Sequence, residues 1–253
     1  MPIFKNLEKL GRTLTRGVLD SLFPRPCIYC GGHRDGGGEF LCTPCLGDIA
    51  FIRRPLCEAC GMPADVSYEF PLAGFLCGEC RKNPHPFDRA RSLGTYDTVL
   101  KELIHAFKYS PQPGAIADIA GLLERYFASA PEGYTGFYVA PVPLHFRKMR
   151  ERGFDQSFLI AREVASVLNL PLASGLLSRV RDTGSQTART RVERSRNIRG
   201  AFAVDRPEVV RGKDVLLVDD VFTTGATAGE AARVLKRAGA GRVHVFTLAR
   251  VVV

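Results

Sequence analysis

Long apolar runs are missing from this sequence of 253 residues: no stretch approaches the roughly 18 uninterrupted apolar residues of a membrane-crossing helix. A compact apolar segment followed by a small-residue cleavage site is missing from the first residues as well. A cytoplasmic protein without a membrane span is therefore expected. Compositionally biased tracts are absent too, and 45% apolar with 24% charged residues describes a globular chain with a proper core rather than disorder. Net positive charge is absent from the first 80 residues, which carry eight Lys/Arg against nine Asp/Glu, so the whole excess of +9 lies downstream. No cysteine occurs after residue 80 and no aromatic residue between 179 and 199. Two unequal units are expected at this length.

The downstream charge is concentrated. His145 to Phe154 contributes Arg147, Lys148, Arg150 and Arg152 against Glu151, and Arg179 to Arg199 contributes seven arginines against Asp182 and Glu193. Localised positive charge points to a polyanionic ligand, either a phosphorylated small molecule or a nucleic acid, with a solvated surface as the plain alternative.

All eight cysteines fall into four Cys-x-x-Cys pairs, Cys27/Cys30, Cys42/Cys45, Cys57/Cys60 and Cys77/Cys80. Each pair brings two thiolates within reach of one tetrahedral zinc, and two pairs complete a closed four-sulfur site that can fold a segment too small for its own core. Two structural zincs are expected. The simplest partition is sequential, with an interleaved one left open, and disulfides are disfavoured in a reducing compartment. Gly31, Gly32 and Gly61 suit the tight knuckle turns. A closed site has no open position for substrate, so the chemistry is to be sought elsewhere.

Ile3, Leu7, Leu10, Leu14, Val18 and Leu22 form the stripe of an amphipathic helix ended by Pro24 and Pro26. The zinc region runs to about Arg81, and Asn83-Pro84-His85-Pro86 is a natural linker, which divides the chain into 1–88 and 89–253. Beyond it the pattern predicts a strand over Ser92 to Tyr96 and helices over Thr98 to Tyr109 and Ile116 to Ala128. A strand over Gly136 to Val142 leads through a basic loop into a helix over Asp155 to Leu168. A short strand over Pro171 to Leu177, a loop over 179–199, a strand over Asp214 to Val218, a helix over Thr227 to Ala238 and a strand over Arg242 to Val251 follow. Short, fully apolar strands alternating with helices give an α/β class with a mainly parallel sheet.

The strand over Asp214 to Val218 stops on Asp219 and Asp220 and breaks into Thr223-Thr224-Gly225-Ala226-Thr227. In an open parallel sheet, ligands bind beyond the carboxyl ends of the strands. Gly225 permits a tight turn whose N–H groups converge on an anion at the following helix's positive end, and the threonine hydroxyls add donors. Two carboxylates beside such a cradle call for ribose hydroxyls or a cation such as magnesium. The segment is not the Gly-x-x-x-x-Gly-Lys-Ser/Thr loop of nucleotide hydrolases, because the lysine is missing and the order is different.

Four aliphatics, Asp219-Asp220 and Thr223-Thr224-Gly225 resemble the phosphoribosyl pyrophosphate signature of type I phosphoribosyltransferases. Further segments, Pro141-Val142-Pro143-Leu144-His145, Arg152-Gly153-Phe154-Asp155-Gln156, Thr183 with Gln186, Glu193-Arg194 with Arg196-Asn197 and Gly200-Ala201-Phe202, resemble the ComF family (ComFC and GntX-like proteins) over essentially the whole chain. That family usually has Asn where Asp155 stands and Leu where Arg189 stands. The resemblance implies a type I phosphoribosyltransferase-like sheet flanked by helices behind a small double zinc ribbon. It implies that the 5-phosphate of phosphoribosyl pyrophosphate sits on Thr223, Thr224, Gly225, Ala226 and Thr227, and the ribose hydroxyls on Asp219 and Asp220 as the catalytic pair. Leu144 and His145 would border the pyrophosphate, with Arg147, Lys148 or Arg152 as counter-charges and magnesium bridging pyrophosphate and sugar. Thr183, Gln186, Arg194, Arg196 and Asn197 would belong to a flexible closing loop. Lys108, in Phe107-Lys108-Tyr109, is either a helix-face lysine or a ligand contact.

Two functions follow from the resemblance. One is a magnesium-dependent phosphoribosyltransferase acting on a nitrogenous acceptor, linked to DNA uptake and natural transformation. The other is a non-catalytic sensor of phosphoribosyl pyrophosphate, or a competence adaptor that holds single-stranded DNA and works with other DNA-uptake proteins. Single-strand binders usually interleave aromatic platforms with basic residues, which the aromatic-free 179–199 segment does not do. Oligomeric state is left open.

Overall fold

A computed structural model describes residues 26–34, 38–64, 74–109, 114–129, 133–183 and 196–252. The stripe predicted as a helix over 3–22 lies outside them, as do Gln186 and Arg194. In chain order the elements are α1 (Thr43–Gly47), α2 (Gly78–Lys82), β1 (Arg89–Thr95), α3 (Thr98–Tyr109), α4 (Ala115–Ala128), β2 (Phe137–Pro141), α5 (Phe146–Arg152) and α6 (Gln156–Leu168). There follow β3 (Leu177–Arg179), β4 (Phe202–Val204), α7 (Pro207–Val210), β5 (Asp214–Phe222), α8 (Ala226–Arg237) and β6 (Val243–Arg250). Strands β1, β6, β5 and β2 form one sheet in that order with every pair parallel, and β3 and β4 form a separate antiparallel pair.

Period-two alternation explains how one sheet serves two cores. Leu216 and Val218 of β5 join Phe246 and Leu248 of β6 and Val139 of β2 on one face, against Leu103 of α3, Ile119 and Leu122 of α4 and Ile160 and Val164 of α6. Val215 and Leu217, with Val243 and Val245, point to the other face and meet Ala231, Ala232 and Leu235 of α8. The cysteines divide in the same way. Cys27, Cys42 and Cys45 pack into the first core and Cys57, Cys60 and Cys80 into the second, so each ribbon caps a different face of the sheet.

Each ribbon is attached by polar contacts as well. The buried Asp118 carboxylate on α4 accepts the backbone N–H groups of Glu39, Phe40 and Leu41 at 2.6, 3.0 and 3.0 Å. Three converging donors offset the cost of burying that charge. In the second ribbon the Arg250 guanidinium donates to the Cys60 carbonyl, and Arg91 pairs with Glu58 at 3.0 Å. Backbone from the zinc region also runs along β1: Ala90 N–H donates to the Ala59 carbonyl at 2.7 Å, and Ile52 N–H donates to the Leu93 carbonyl at 2.9 Å.

Four sequence expectations are corrected. Strand β5 does not stop at Val218 but runs on through both aspartates to Phe222, paired to β6 all the way (Asp219 with Thr247, Phe222 with Arg250). The strand expected over Pro171 to Leu177 is reduced to a single bridge between Leu172 and Val139, and the true strand, β3, begins at Leu177. The basic segment after β2 is a short helix, α5, not a loop. The segment 179–199, read as loop throughout, opens with the last residue of β3.

Candidate functional site

The four Sγ atoms of Cys27, Cys30, Cys42 and Cys45 lie within 4.8 Å of one another, as do those of Cys57, Cys60, Cys77 and Cys80. A zinc–sulfur bond of about 2.3 Å sets the edge of a sulfur tetrahedron near 3.8 Å. The Cys30–Cys42 and Cys60–Cys77 sulfur pairs stand at 3.7 and 3.8 Å, which matches that edge and is far too long for a disulfide. The two knuckles repeat one local design. Cys27 N–H donates to the Gly32 carbonyl as Cys57 N–H does to Met62, and Gly31 and Gly61 turn at φ of 72° and 70°. His33 pairs with Pro26 in a bridge and is not part of the tetrad. The sequential partition is therefore the one the fold builds, and both tetrads fit closed structural zinc sites.

A smaller cavity of about 180 Å³ lies over the carboxyl ends of β2 and β5, lined by Lys108, Leu144, Lys148, Arg152, Arg179, Asp219, Asp220 and Thr227 among others. The two carboxylates have different partners. Asp219 Oδ1 accepts the Ser157 hydroxyl at 2.9 Å and the Asp220 N–H at 2.9 Å, while Asp220 pairs with the Lys108 ammonium at 2.6 Å. Burial, reinforced by the Asp220 charge, pushes the Asp219 carboxyl up to about 7. Burial works against the Lys108 charge, but Asp220 overrides it and draws the lysine's pKa upward. Burial pulls the Arg179 guanidinium down, and burial together with Arg179 and Arg152 pulls Lys148 down.

The Asp219 shift has a testable sign. An aspartate in the unfolded chain titrates near 3.9, so between about pH 4 and 7 the native state holds a proton the unfolded chain lacks. The stabilisation is complete below that window and is lost as pH rises through about 7. Asp219→Asn is therefore expected to melt at a higher temperature than the wild type at about pH 8, with the difference closing towards pH 5. Parallel melting curves across that range check it.

The loop after β5 turns at Gly225, with φ of 75° at the N-cap of α8. A Cβ there would stand 2.7 Å from Phe222 Cζ and 3.0 Å from His85 Cε1, so glycine is required by conformation and by space. Thr223 is exposed and Thr224 and Thr227 are half-buried. His85 comes from the linker after the second ribbon, stacks on Phe87 at 4.5 Å and meets Phe222 edge-on at 6.3 Å. On the outer side of the same loop, Thr224, Gly225 and Ala226 line a larger cleft of about 760 Å³. Its other walls include His85 and Glu79 of the zinc region, Glu230, and Arg196, Arg199, Arg233 and Arg237.

The fold brings Leu144, Lys148, Arg152 and Thr227 together with the two aspartates, but not every predicted residue. His145 and Arg147 face Asp182 at 3.8 and 3.7 Å instead of lining the cavity. Asn197 donates to the Thr183 carbonyl at 2.6 Å, and Arg196 lines the larger cleft. Asp155 caps α6 by accepting the Phe158 N–H at 3.1 Å. Sequence reasoning missed Ser157 and His85 and assigned Arg179 to a loop. No short motif marks a hydroxyl in the first turn of α6 or a linker histidine, because both matter through tertiary contacts alone.

Residues 18–81 match the family described as Double zinc ribbon domain, and residues 155–251 match the Phosphoribosyl transferase domain. Among curated relatives, the DNA utilization protein YhgH of Salmonella typhimurium is 34% identical over 214 residues, covering 83% of this chain and 90% of its own length. Competence protein F of Haemophilus influenzae is 32% identical over 88% of this chain and 96% of its own. Competence protein ComFC of Bacillus subtilis is 27% identical over 84% and 85%. Among the described residues no helix is long and apolar enough to cross a membrane.

Proposed function

Because this chain belongs to the family of the DNA utilization protein YhgH and competence protein F, a double zinc ribbon joined to a phosphoribosyltransferase domain, we propose that it binds phosphoribosyl pyrophosphate with magnesium and transfers the phosphoribosyl group to a nitrogenous acceptor, in the service of DNA uptake. The observation that carries this reading is the cavity in which Asp219 and Asp220 face Lys108, Lys148, Arg152 and Arg179, beside the Gly225 turn at the head of α8. Carboxylates suit ribose hydroxyls, cations suit a pyrophosphate, and convergent N–H groups at a helix start suit the 5-phosphate.

In the reaction the bond from the sugar's anomeric carbon to pyrophosphate breaks and its electron pair leaves with pyrophosphate. The acceptor nitrogen's lone pair forms the new bond and its proton passes to solvent. No protein nucleophile is needed, so the work of Asp219, Asp220 and the four cations is positioning and charge stabilisation. Magnesium, entering with the ligand beside Asp219 and Asp220, would supply further charge neutralisation. Thr223 to Thr227 would hold the 5-phosphate.

Calorimetric titration of phosphoribosyl pyrophosphate with magnesium tests the proposal. Wild type should bind, and Asp219→Asn/Asp220→Asn should lose binding by at least about 100-fold while keeping its zinc and its fold, given that each hydrogen bond from a charged group contributes about 1.5–3 kcal/mol. Absence of binding to folded wild type would sink both the enzyme and the sensor readings.

A second reading, a holder of single-stranded DNA, is favoured by one surface. Tyr109 and Phe146 are 63% and 55% exposed beside basic side chains, and the Arg152 guanidinium lies 5.5 Å over the Tyr109 ring. Exposed rings among cations supply the stacking platforms that the sequence reading did not find near 179–199. The same calorimetry with a single-stranded oligonucleotide, repeated at rising salt, separates it from the first.

A further inference from the structure

The acidic pair would ordinarily be taken for a docking point for a divalent cation from solution. The cavity argues otherwise. Asp220 is already occupied by the Lys108 ammonium at 2.6 Å, and both partners of that pair are largely withdrawn from water. Lys108 is the penultimate residue of α3, and the preceding Phe107 is fully buried in the core, so the lysine is carried to the carboxylate by a fixed helix. Asp219 is likewise engaged, by the Ser157 hydroxyl and the Asp220 N–H. The remaining charged groups of the lining are Lys148, Arg152 and Arg179, so four cations face two carboxylates. Such a cavity repels a bare divalent ion and attracts an anion, including an anion that carries its own metal.

We propose that Lys108 is a resident counter-cation that keeps Asp219 and Asp220 free of metal until ligand arrives, so that any divalent ion in this site enters on the anionic ligand rather than ahead of it. Lys108 acts here as a positioning residue: its ion pair holds Asp220 aimed at the cavity, and it yields the carboxylate when a hydroxyl-bearing anion supplies better partners. The inference concerns the site of the proposed transfer but does not need that chemistry, because its probe contains no sugar.

The probe is Mn²⁺ alone, a hard cation that competes poorly for thiolate sites, titrated into the full zinc-loaded chain and read by the electron paramagnetic resonance signal of free Mn²⁺. Wild type is expected to show no Mn²⁺ site that Asp219→Asn/Asp220→Asn removes. Lys108→Met should gain one Mn²⁺ per chain, bound at least about tenfold more tightly than any such site in wild type, as removal of a nearby like charge requires. That site should vanish when the two asparagine substitutions are added. Lys108→Arg, which keeps the charge, should behave as wild type. A wild-type Mn²⁺ site that depends on the two aspartates overturns the proposal, and this arm stands even if Lys108→Met fails to fold. A folded, zinc-loaded Lys108→Met that gains no site overturns it equally. Failure of phosphoribosyl pyrophosphate to bind would leave these outcomes unchanged, so the two readings fail separately.

Discussion

Serine at Cys57 and Cys60 is expected to unfold the second ribbon and weaken anion binding at the 223–227 loop, whereas serine at Cys27 and Cys30 should cost stability and spare the loop. Structural zinc in small domains contributes about 10–16 kcal/mol, comparable with the whole stability of an ordinary domain. Losing either ion is therefore a large perturbation. What differs is where each ribbon is anchored. The first is fastened by Asp118 to α4, on the face of the sheet away from α8. The second sits on the face that carries α8, and its Cys60 carbonyl is held by Arg250, whose guanidinium lies 5.1 Å over the Phe222 ring. Its linker then puts His85 against Gly225 and Pro86 against Gly229, while Asp88 pairs with Lys236 near the end of α8 at 2.7 Å. Zinc content, circular dichroism melts and titration of phosphoribosyl pyrophosphate with magnesium on both variants decide the matter. Equal loss of binding in the two would show that the second ribbon has no special hold on the loop.

Gly225→Val should abolish ligand binding while leaving a folded, less stable protein. A side chain in the left-handed region costs about 1–2 kcal/mol before any contact is considered, and a β-branched one costs more. The new Cβ would lie 2.7 Å from the Phe222 ring and 3.0 Å from His85, and neither can retreat freely because Phe87 packs against both. The loop must move, and with it the N–H groups at the head of α8. A stability loss of about 2–4 kcal/mol is expected from strain and overpacking together. Binding of phosphoribosyl pyrophosphate should weaken at least about 100-fold, because misplaced donors no longer converge on one anion. Gly229→Ala makes a suitable control, since its Cβ meets only Pro86, at an ordinary 3.4 Å. Wild-type affinity in Gly225→Val would remove the loop from the binding site altogether.

The parts of this molecule legible in the sequence were those governed by local rules. Cys-x-x-Cys spacing specifies a metal knuckle whatever surrounds it, and the tetrads formed in the simplest order. The helices over 98–109 and 156–168 were visible because their apolar stripes face a real core. The error at β5 came from treating charge as the end of a strand. Asp219 and Asp220 stay extended because β6 continues to pair beside them, and Val221 and Phe222 resume the apolar pattern. The basic helix α5 has no buried residue and hence no stripe to detect. Lys108 was ambiguous for a related reason: helical periodicity puts it beside the apolar face, and only the packing of α3 beside the sheet shows that it ends on Asp220. Ser157 and His85 depend wholly on such long-range placement.

The outer edge of β1 has a second meaning. A sheet edge presents a row of unsatisfied N–H and carbonyl groups that invites strand addition from another molecule. In this fold the row is answered by the chain's own backbone, through Ile52 to Leu93 and through Ala59 to Ala90, both supplied by the stretch of chain that the zinc tetrads organise. The zinc region therefore covers part of the edge with which a second molecule would otherwise pair. A chain stripped of zinc would expose β1 as a bare template, and metal loss would first be seen as the protein sticking to itself.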